Sequence, residues 1–172
     1  MKRVHIIGRK NHGKTTLVAE LVEHFTAQGL RVGTIKHTHH AHELDTPGKD
    51  SHTHRMAGAS VVGILSRSMS AVFWPALPSD GERGGGDDRY EEFAPHFASC
   101  ELVIVEGDTQ TSGLKVEVWR AAAGSPPMAA DDPTVAAIVT DDPVEATAER
   151  WPRCDVPAVG RNILQLLGIA KP

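Results

Sequence analysis

"GRKNHGKTT", Gly8 to Thr16, joins a short apolar run to a helix-patterned segment and holds two glycines, two lysines and two threonines in nine residues. Gly8-x-x-x-x-Gly13-Lys14-Thr15 has the spacing of a phosphate-binding loop, and its context is the required one, a strand entering and an amphipathic helix leaving. Glycine suits such a loop because backbone N–H groups must close around phosphate oxygens where a Cβ would obstruct them. The helix that follows adds unsatisfied donors and a favourable dipole. Lys14 would neutralise the β/γ charge, and the Thr15 hydroxyl would ligate Mg²⁺. The candidate contacts are Gly8, Asn11, His12, Gly13, Lys14, Thr15 and Thr16. In the competing reading, Thr15 or Thr16 only caps a helix.

Outward from this loop, Val- and Ile-rich runs alternate with helical patterns, which predicts an α/β fold with a mostly parallel sheet flanked by helices and an additional β-rich segment. About seven strands are expected. "RVHIIG" (Arg3 to Gly8) is the first, and a helix runs from Lys14 to Gln28 with Leu17, Leu21, Val22 and Phe25 on one face and Gly29 as its stop. "RVGTIKH" follows as a strand, "GKDSHTHRMAGA" as a short helix, and "SVVGILS" and "SAVFWP" as strands connected at Arg67 and Ser68. Residues 78–88, "PSDGERGGGDD", have the composition of a mobile surface loop. Then come a helix from Arg89 to Ala98, the strands "ELVIVEG", "LKVEVWR" and "TVAAIVTDD", a short strand "VPAVG" and a closing helix "NILQLLG".

A phosphate-loop protein needs an acid at the end of a second core strand to hold the ion's shell. "ELVIVEG" places Glu106 there, after four apolar residues and before a glycine that permits close backbone approach. An ordinary strand-end carboxylate is the alternative. Thr15 and Glu106 are thus the candidate metal ligands, with Asp108 a weaker candidate in an outer shell. The base is harder to read, because no N-K-x-D guanine reader is present. "IVTDDP" ends a strand where one would sit, so Asp141 or Asp142 is a candidate acceptor for guanine, with a plain turn before Pro143 as the alternative.

Six of the ten histidines lie in "KHTHHAHELDTPGKDSHTH". His37, His39, His40 and His42 follow a strand, on the rim where open α/β sheets take ligands. They suit Ni²⁺ or Zn²⁺, an anion, or a solvated loop; the spacing is not that of a closed metal site, and no cysteine is near. His52 and His54 read as surface residues of the following helix.

Composition bounds the rest. A chain of 172 residues with 40% hydrophobic content can bury about two-thirds of its unfolded surface, so one nucleotide-binding domain over residues 1–172 is expected. A formal charge of −4 supplies no field that draws the protein onto nucleic acid or an anionic membrane. Cys100 and Cys154 are far apart and form no C-x-x-C pair, which points to a reducing, cytoplasmic compartment. No segment approaches the roughly 20 apolar residues of a membrane span.

Taken in order, Gly8 to Thr16, "TIKHTHH" (Thr34 to His40), "DTPGKDS" (Asp45 to Ser51), "RMAGA" (Arg55 to Ala59) and "VIVEG" (Val103 to Gly107) resemble the MobB family. These are GTP-binding adapters of molybdopterin guanine dinucleotide biosynthesis. The resemblance runs from Lys2 to about Pro143 and is far more specific than the loop alone. It implies a P-loop fold grouped with the metallocenter-assembly GTPases, a homodimer, GTP and Mg²⁺ as ligands, slow hydrolysis at most, and a MobA-type guanylyltransferase as partner. Gly13, Lys14, Thr15 and Thr16 match the phosphate loop and Glu106 the second acidic motif, while Asp45, Lys49 and Asp50 fall in the second signature without an assigned role. Two departures stand out. Asn11 and His12 occupy positions often taken by Ser or Gly, and Asp108-Thr109-Gln110 replaces an aromatic-basic pair, although Lys115 and Arg120 fit the strand that follows. Two other functions remain at this point: a metal-delivery GTPase that loads Ni²⁺ or Zn²⁺ on its histidines, and a small-molecule kinase with "DTPGKDS" as its acceptor pocket.

Overall fold

Seven of the apolar runs become strands and the segment Glu149–Trp151 adds an eighth: β1 (Arg3–Ile7), β2 (Val32–Lys36), β3 (Val62–Leu65), β4 (Ser70–Phe73), β5 (Leu102–Glu106), β6 (Lys115–Val118), β7 (Val135–Val139) and β8 (Glu149–Trp151) among the described residues. The helices are α1 (Lys14–Ala27), α2 (Asp50–Met56), α3 (Asp88–Glu91) and α4 (Val156–Leu166). The computed structural model describes residues 1–38, 40, 43–75 and 88–170. His39, His42 and residues 78–87 of the glycine-rich loop lie outside the described residues.

The chain forms two compact units, one of residues 1–38 with 84–172 and one of residues 39–83. The larger holds a six-stranded sheet in the order β2-β5-β1-β6-β7-β8, every neighbouring pair parallel. The smaller holds α2 and the antiparallel pair β3-β4, the expected β-rich segment.

Strand alternation divides the large unit's core into two layers. Val4 and Ile6 of β1, with Leu102 and Ile104 of β5, pack beneath Leu17, Leu21 and Phe25 of α1 and Val159 and Ile163 of α4. The intervening residues face the other way. Val103 and Val105 meet Ile35, Tyr90, Phe93 and Phe97, while Ile7 joins Trp119, Ala129 and Ile138. Because both faces are covered, the strands read as continuous apolar runs rather than alternating ones. Each fully buried Leu, Ile or Phe contributes about 1.5–3 kcal/mol. After Ala27 the helix is closed by Gly29 N–H donating to Thr26 O and Leu30 N–H to Phe25 O, so the expected stop is present.

Two expected elements differ. The helix predicted over Arg89–Ala98 is split into α3 and a 3-10 turn, Ala94–Phe97, because Pro95 has no N–H to continue an α ladder. "VPAVG" is not a strand but the opening of α4: Asp155 caps it by accepting from Ala158 N–H at 2.9 Å, and Pro157 sits in its first turn. The last strand is instead β8, three residues with only Trp151 buried, too short to leave a periodic signal.

Candidate functional site

Parallel pairing brings the C-terminal ends of β1, β2 and β5 to one rim, with Ile6 and Lys36 both register partners of Glu106. Gly8 leaves β1 into the Gly8–Thr16 loop at φ +141°, and a Cβ there would lie 2.5 Å from Val118 O. Gly13 turns into α1 at φ +94°, where a Cβ would lie 2.8 Å from the Arg120 guanidinium. At Gly8 the obstacle is backbone, whereas at Gly13 it is the end of the Arg120 side chain, and there the positive φ is what favours glycine.

Beside this loop the Thr15 hydroxyl donates to Glu106 Oε1 at 2.7 Å. Lys36 Nζ donates to the same oxygen. Lys14 Nζ reaches back to Arg9 O at 2.8 Å. Burial opposes ionisation of Glu106, but the bonds from Lys36 and Thr15 and the charges of Lys36 and Lys14 outweigh it and hold the carboxyl below its usual range. Burial also draws the Lys14 ammonium down, with Glu106 opposing and Lys36 assisting that shift. Lys14 and Lys36 are thus the two cations acting on the Glu106 carboxylate, while Lys14, Arg120 and Arg9 act on His12 within the loop. The adjacent Thr15 hydroxyl and Glu106 carboxylate are hard oxygen donors of the kind that could hold Mg²⁺.

The remaining candidates divide. Asn11, at φ +68°, and the buried His12 form the rear of the loop, bonded to Arg120; Thr16 is exposed on the first turn of α1. Asp142 Oδ2 accepts Ala121 N–H at 2.8 Å, on the connection after β6, whereas Asp141 Oδ1 accepts Cys154 N–H at 2.9 Å beside α4. Asp108 is buried with its Oδ2 accepting from Tyr90 Oη at 2.7 Å, and His37 Nδ1 lies 3.1 Å from the same hydroxyl. His37 is therefore packed within the large unit, while His40 is exposed in the smaller one. Among the described residues no group of three His, Cys, Asp or Glu side chains is arranged to hold a metal ion. In the smaller unit Asp45 Oδ1 accepts from Thr46 N–H and Ser51 Oγ, Lys49 precedes α2, and Asp50 opens it.

Lys36, Tyr90 and Ser125 carry weight that sequence reasoning did not assign. Lys36 lay in a quoted motif, and only the β2-β5 register reveals its partner.

A parallel sheet, a glycine-bounded loop opening a helix, and a Thr–acid pair across that loop define the P-loop NTPase-like class of α/β proteins. The family profile of MobB, "Molybdopterin guanine dinucleotide synthesis protein B", matches residues 3–141. The molybdopterin-guanine dinucleotide biosynthesis adapter protein of Escherichia coli (strain K12) is 32% identical over 133 residues, 77% of this chain and 74% of that protein. Its Haemophilus influenzae counterpart is 32% identical over 140 residues, 81% and 75% of the two chains. The chain belongs to the MobB family. Solved structures agree on the fold: a crystal structure of molybdopterin-guanine biosynthesis protein B superposes with a TM-score of 0.68 at 24% identity, covering 96% of this chain and 99% of that one. A MobB homologue from Bacillus stearothermophilus gives 0.63 at 21% identity, with the same coverage.

Proposed function

We propose that this chain, an adapter protein of molybdopterin guanine dinucleotide biosynthesis, works by holding GTP with Mg²⁺ in its phosphate loop and presenting that loaded form to a guanylyltransferase of the MobA type. The observation that carries the reading is the meeting of Lys14 and Lys36 at the Glu106 carboxylate beside the glycine-bounded loop, where Lys36 donates to Oε1 and both charges favour the ionised acid; this is positive charge of the kind a polyphosphate draws on. Thr15 and Glu106 would hold the ion, which supplies charge neutralisation of the phosphate oxygens when bound. The loop N–H groups and the start of α1 would orient the phosphates, and Lys14 would leave Arg9 O for them. Asp142 is our candidate for the guanine contact, since it is anchored on the connection that also carries Arg120. The working form is a cytoplasmic homodimer. No helix among the described residues is long and apolar enough to cross a membrane.

Titration calorimetry with GTP and Mg²⁺ on wild type and Lys14→Ala tests the phosphate site. Loss of a charge-assisted contact predicts about a tenfold or larger fall in affinity. Equal affinity in the two proteins overturns the assignment. A pull-down of the guanylyltransferase with and without GTP tests the adapter role, and capture indifferent to GTP would refute a nucleotide-loaded working state.

A further inference from the structure

The phosphate loop is gripped from behind. After β6 the chain passes Trp119, buried with its Nε1 donating to Ser125 O at 2.8 Å, and makes a 3-10 turn at Ala121–Ala123. From this connection Arg120 makes three bonds to the loop: its backbone N–H donates to His12 Nδ1 at 3.0 Å, its Nε to His12 O at 3.1 Å and its terminal nitrogen to Asn11 O at 3.3 Å. His12 is 1% exposed. Since Arg120 N–H donates to Nδ1, the ring proton is on Nε2, which donates to Ser125 Oγ at 2.8 Å.

Two consecutive carbonyls, those of Asn11 and His12, are thus turned onto one guanidinium. Their peptide groups are planar and trans, so the N–H groups of His12 and Gly13 point away from Arg120. The same bonds accompany a left-handed backbone at Asn11, φ +68°, which non-glycine residues rarely adopt. Gly13 packs so closely on the guanidinium that a Cβ would sit 2.8 Å from it.

We propose that Arg120 and His12 are positioning residues of the phosphate site: Arg120 aims the loop's N–H groups at the bound phosphates of a nucleoside diphosphate or triphosphate, and neutral His12 pins Arg120 and Ser125 beneath them. The inference rests on the nucleotide reading above and extends it to residues that touch no phosphate. A proton on Nδ1 would face the Arg120 N–H and break that pin. The groups facing the ring are Lys14 at the start of α1, Arg9 in the loop and Arg120 on the connection, all cationic. Burial first, then these charges, keep the imidazole below its ordinary value of 6.5. Acidification through that lowered value therefore loosens the loop, and the site becomes proton-sensitive on its acid side.

The test is GDP and guanosine binding by calorimetry, from about pH 8 to about pH 5.5, on wild type, Arg120→Ala, Arg120→Lys and His12→Gln. Arg120→Ala should weaken GDP by about tenfold or more and leave guanosine unchanged. Arg120→Lys should not rescue it, because one ammonium cannot reproduce a planar fork bonded to two carbonyls. His12→Gln should lower affinity and flatten the acid fall-off; titration of the GDP phosphate is common to both proteins and cancels in that comparison. GDP affinity in Arg120→Ala equal to wild type, or an acid fall-off in His12→Gln parallel to wild type, overturns the proposal. Should Arg120→Ala not fold, the His12→Gln profile alone decides. Wild type that binds guanosine but not GDP or GTP would instead remove the phosphate site itself and this inference with it.

Discussion

Thr15 and Glu106, 91 residues apart in the chain, share a 2.7 Å hydrogen bond across the mouth of the Gly8–Thr16 loop. One comes from the first turn of a helix and the other from the end of a strand, and parallel pairing of β1 with β5 is what closes the distance. Replacing Glu106 with Gln preserves an acceptor for Thr15 but removes the charge that faces Lys36 and, in the function proposed above, would face Mg²⁺. The Mg²⁺-dependent part of GTP affinity should fall by about tenfold or more, while binding measured in a chelator changes little. Equal Mg²⁺ dependence in both proteins would take Glu106 out of the ion's shell.

Gly8 is fixed by space as well as by backbone angle. An alanine Cβ would stand 2.5 Å from Val118 O at a φ of +141°. Since the neighbour is backbone, the loop or β6 must move, and Gly8→Ala should cost about 1–3 kcal/mol in urea unfolding and lower GTP affinity as well. A variant with wild-type stability and affinity would show that the loop adapts at this position.

At the opposite end of the sheet, Lys115 is 4% exposed and its ammonium donates to Asp132 Oδ2 at 2.7 Å. The bonds from Lys115 and Thr134 hold the Asp132 carboxyl down at about 2, against an ordinary 3.8. A depressed carboxyl stabilises the fold above its unfolded value and loses that contribution as pH falls toward the folded one. Stability from this group is therefore complete above pH 3.8 and declines down to about pH 2. Asp132→Ala should destabilise by about 2 kcal/mol at neutral pH, discounted from a fully buried pair because Asp132 keeps 29% exposure. Denaturant midpoints of the two proteins should converge on acidification through that window. A gap independent of pH would mean that packing, not charge, is what Asp132 supplies.

Asp155 begins the closing helix by accepting Ala158 N–H at 2.9 Å. Asp155→Ala should cost about 1 kcal/mol, which for a chain of this size lowers Tm by about 2–4 °C. Nucleotide binding should not change, since α4 touches the site only through the core. An unchanged Tm would mean that water replaces the cap without loss.

Legibility followed the range of the interactions. The loop from Gly8 to Thr16 was readable because its chemistry is contiguous: glycines, a lysine and a hydroxyl at fixed offsets between a strand and a helix. Glu106 was readable too, because a carboxylate ending an apolar strand is a local anomaly. The "VPAVG" segment misled for the opposite reason. Its small and branched residues suit a strand, and the side-chain cap from Asp155 overrides that preference. The residues over Arg89–Ala98 look helical until Pro95 removes one donor and the ladder breaks.

The sequence by itself determined the P-loop, the class of fold and the family likeness, since these rest on neighbouring residues and on the order of a few short strings. Only the tertiary structure decided what surrounds that loop. Strand order β2-β5-β1-β6 sets Lys36 beside Glu106 and carries Arg120 beneath Asn11 and His12. Those pairs are separated by scores of residues, and nothing in a linear chain states which strands will lie side by side. Pairing and register convert distant positions into contacts, and with them an isolated motif becomes a charged site with a support behind it.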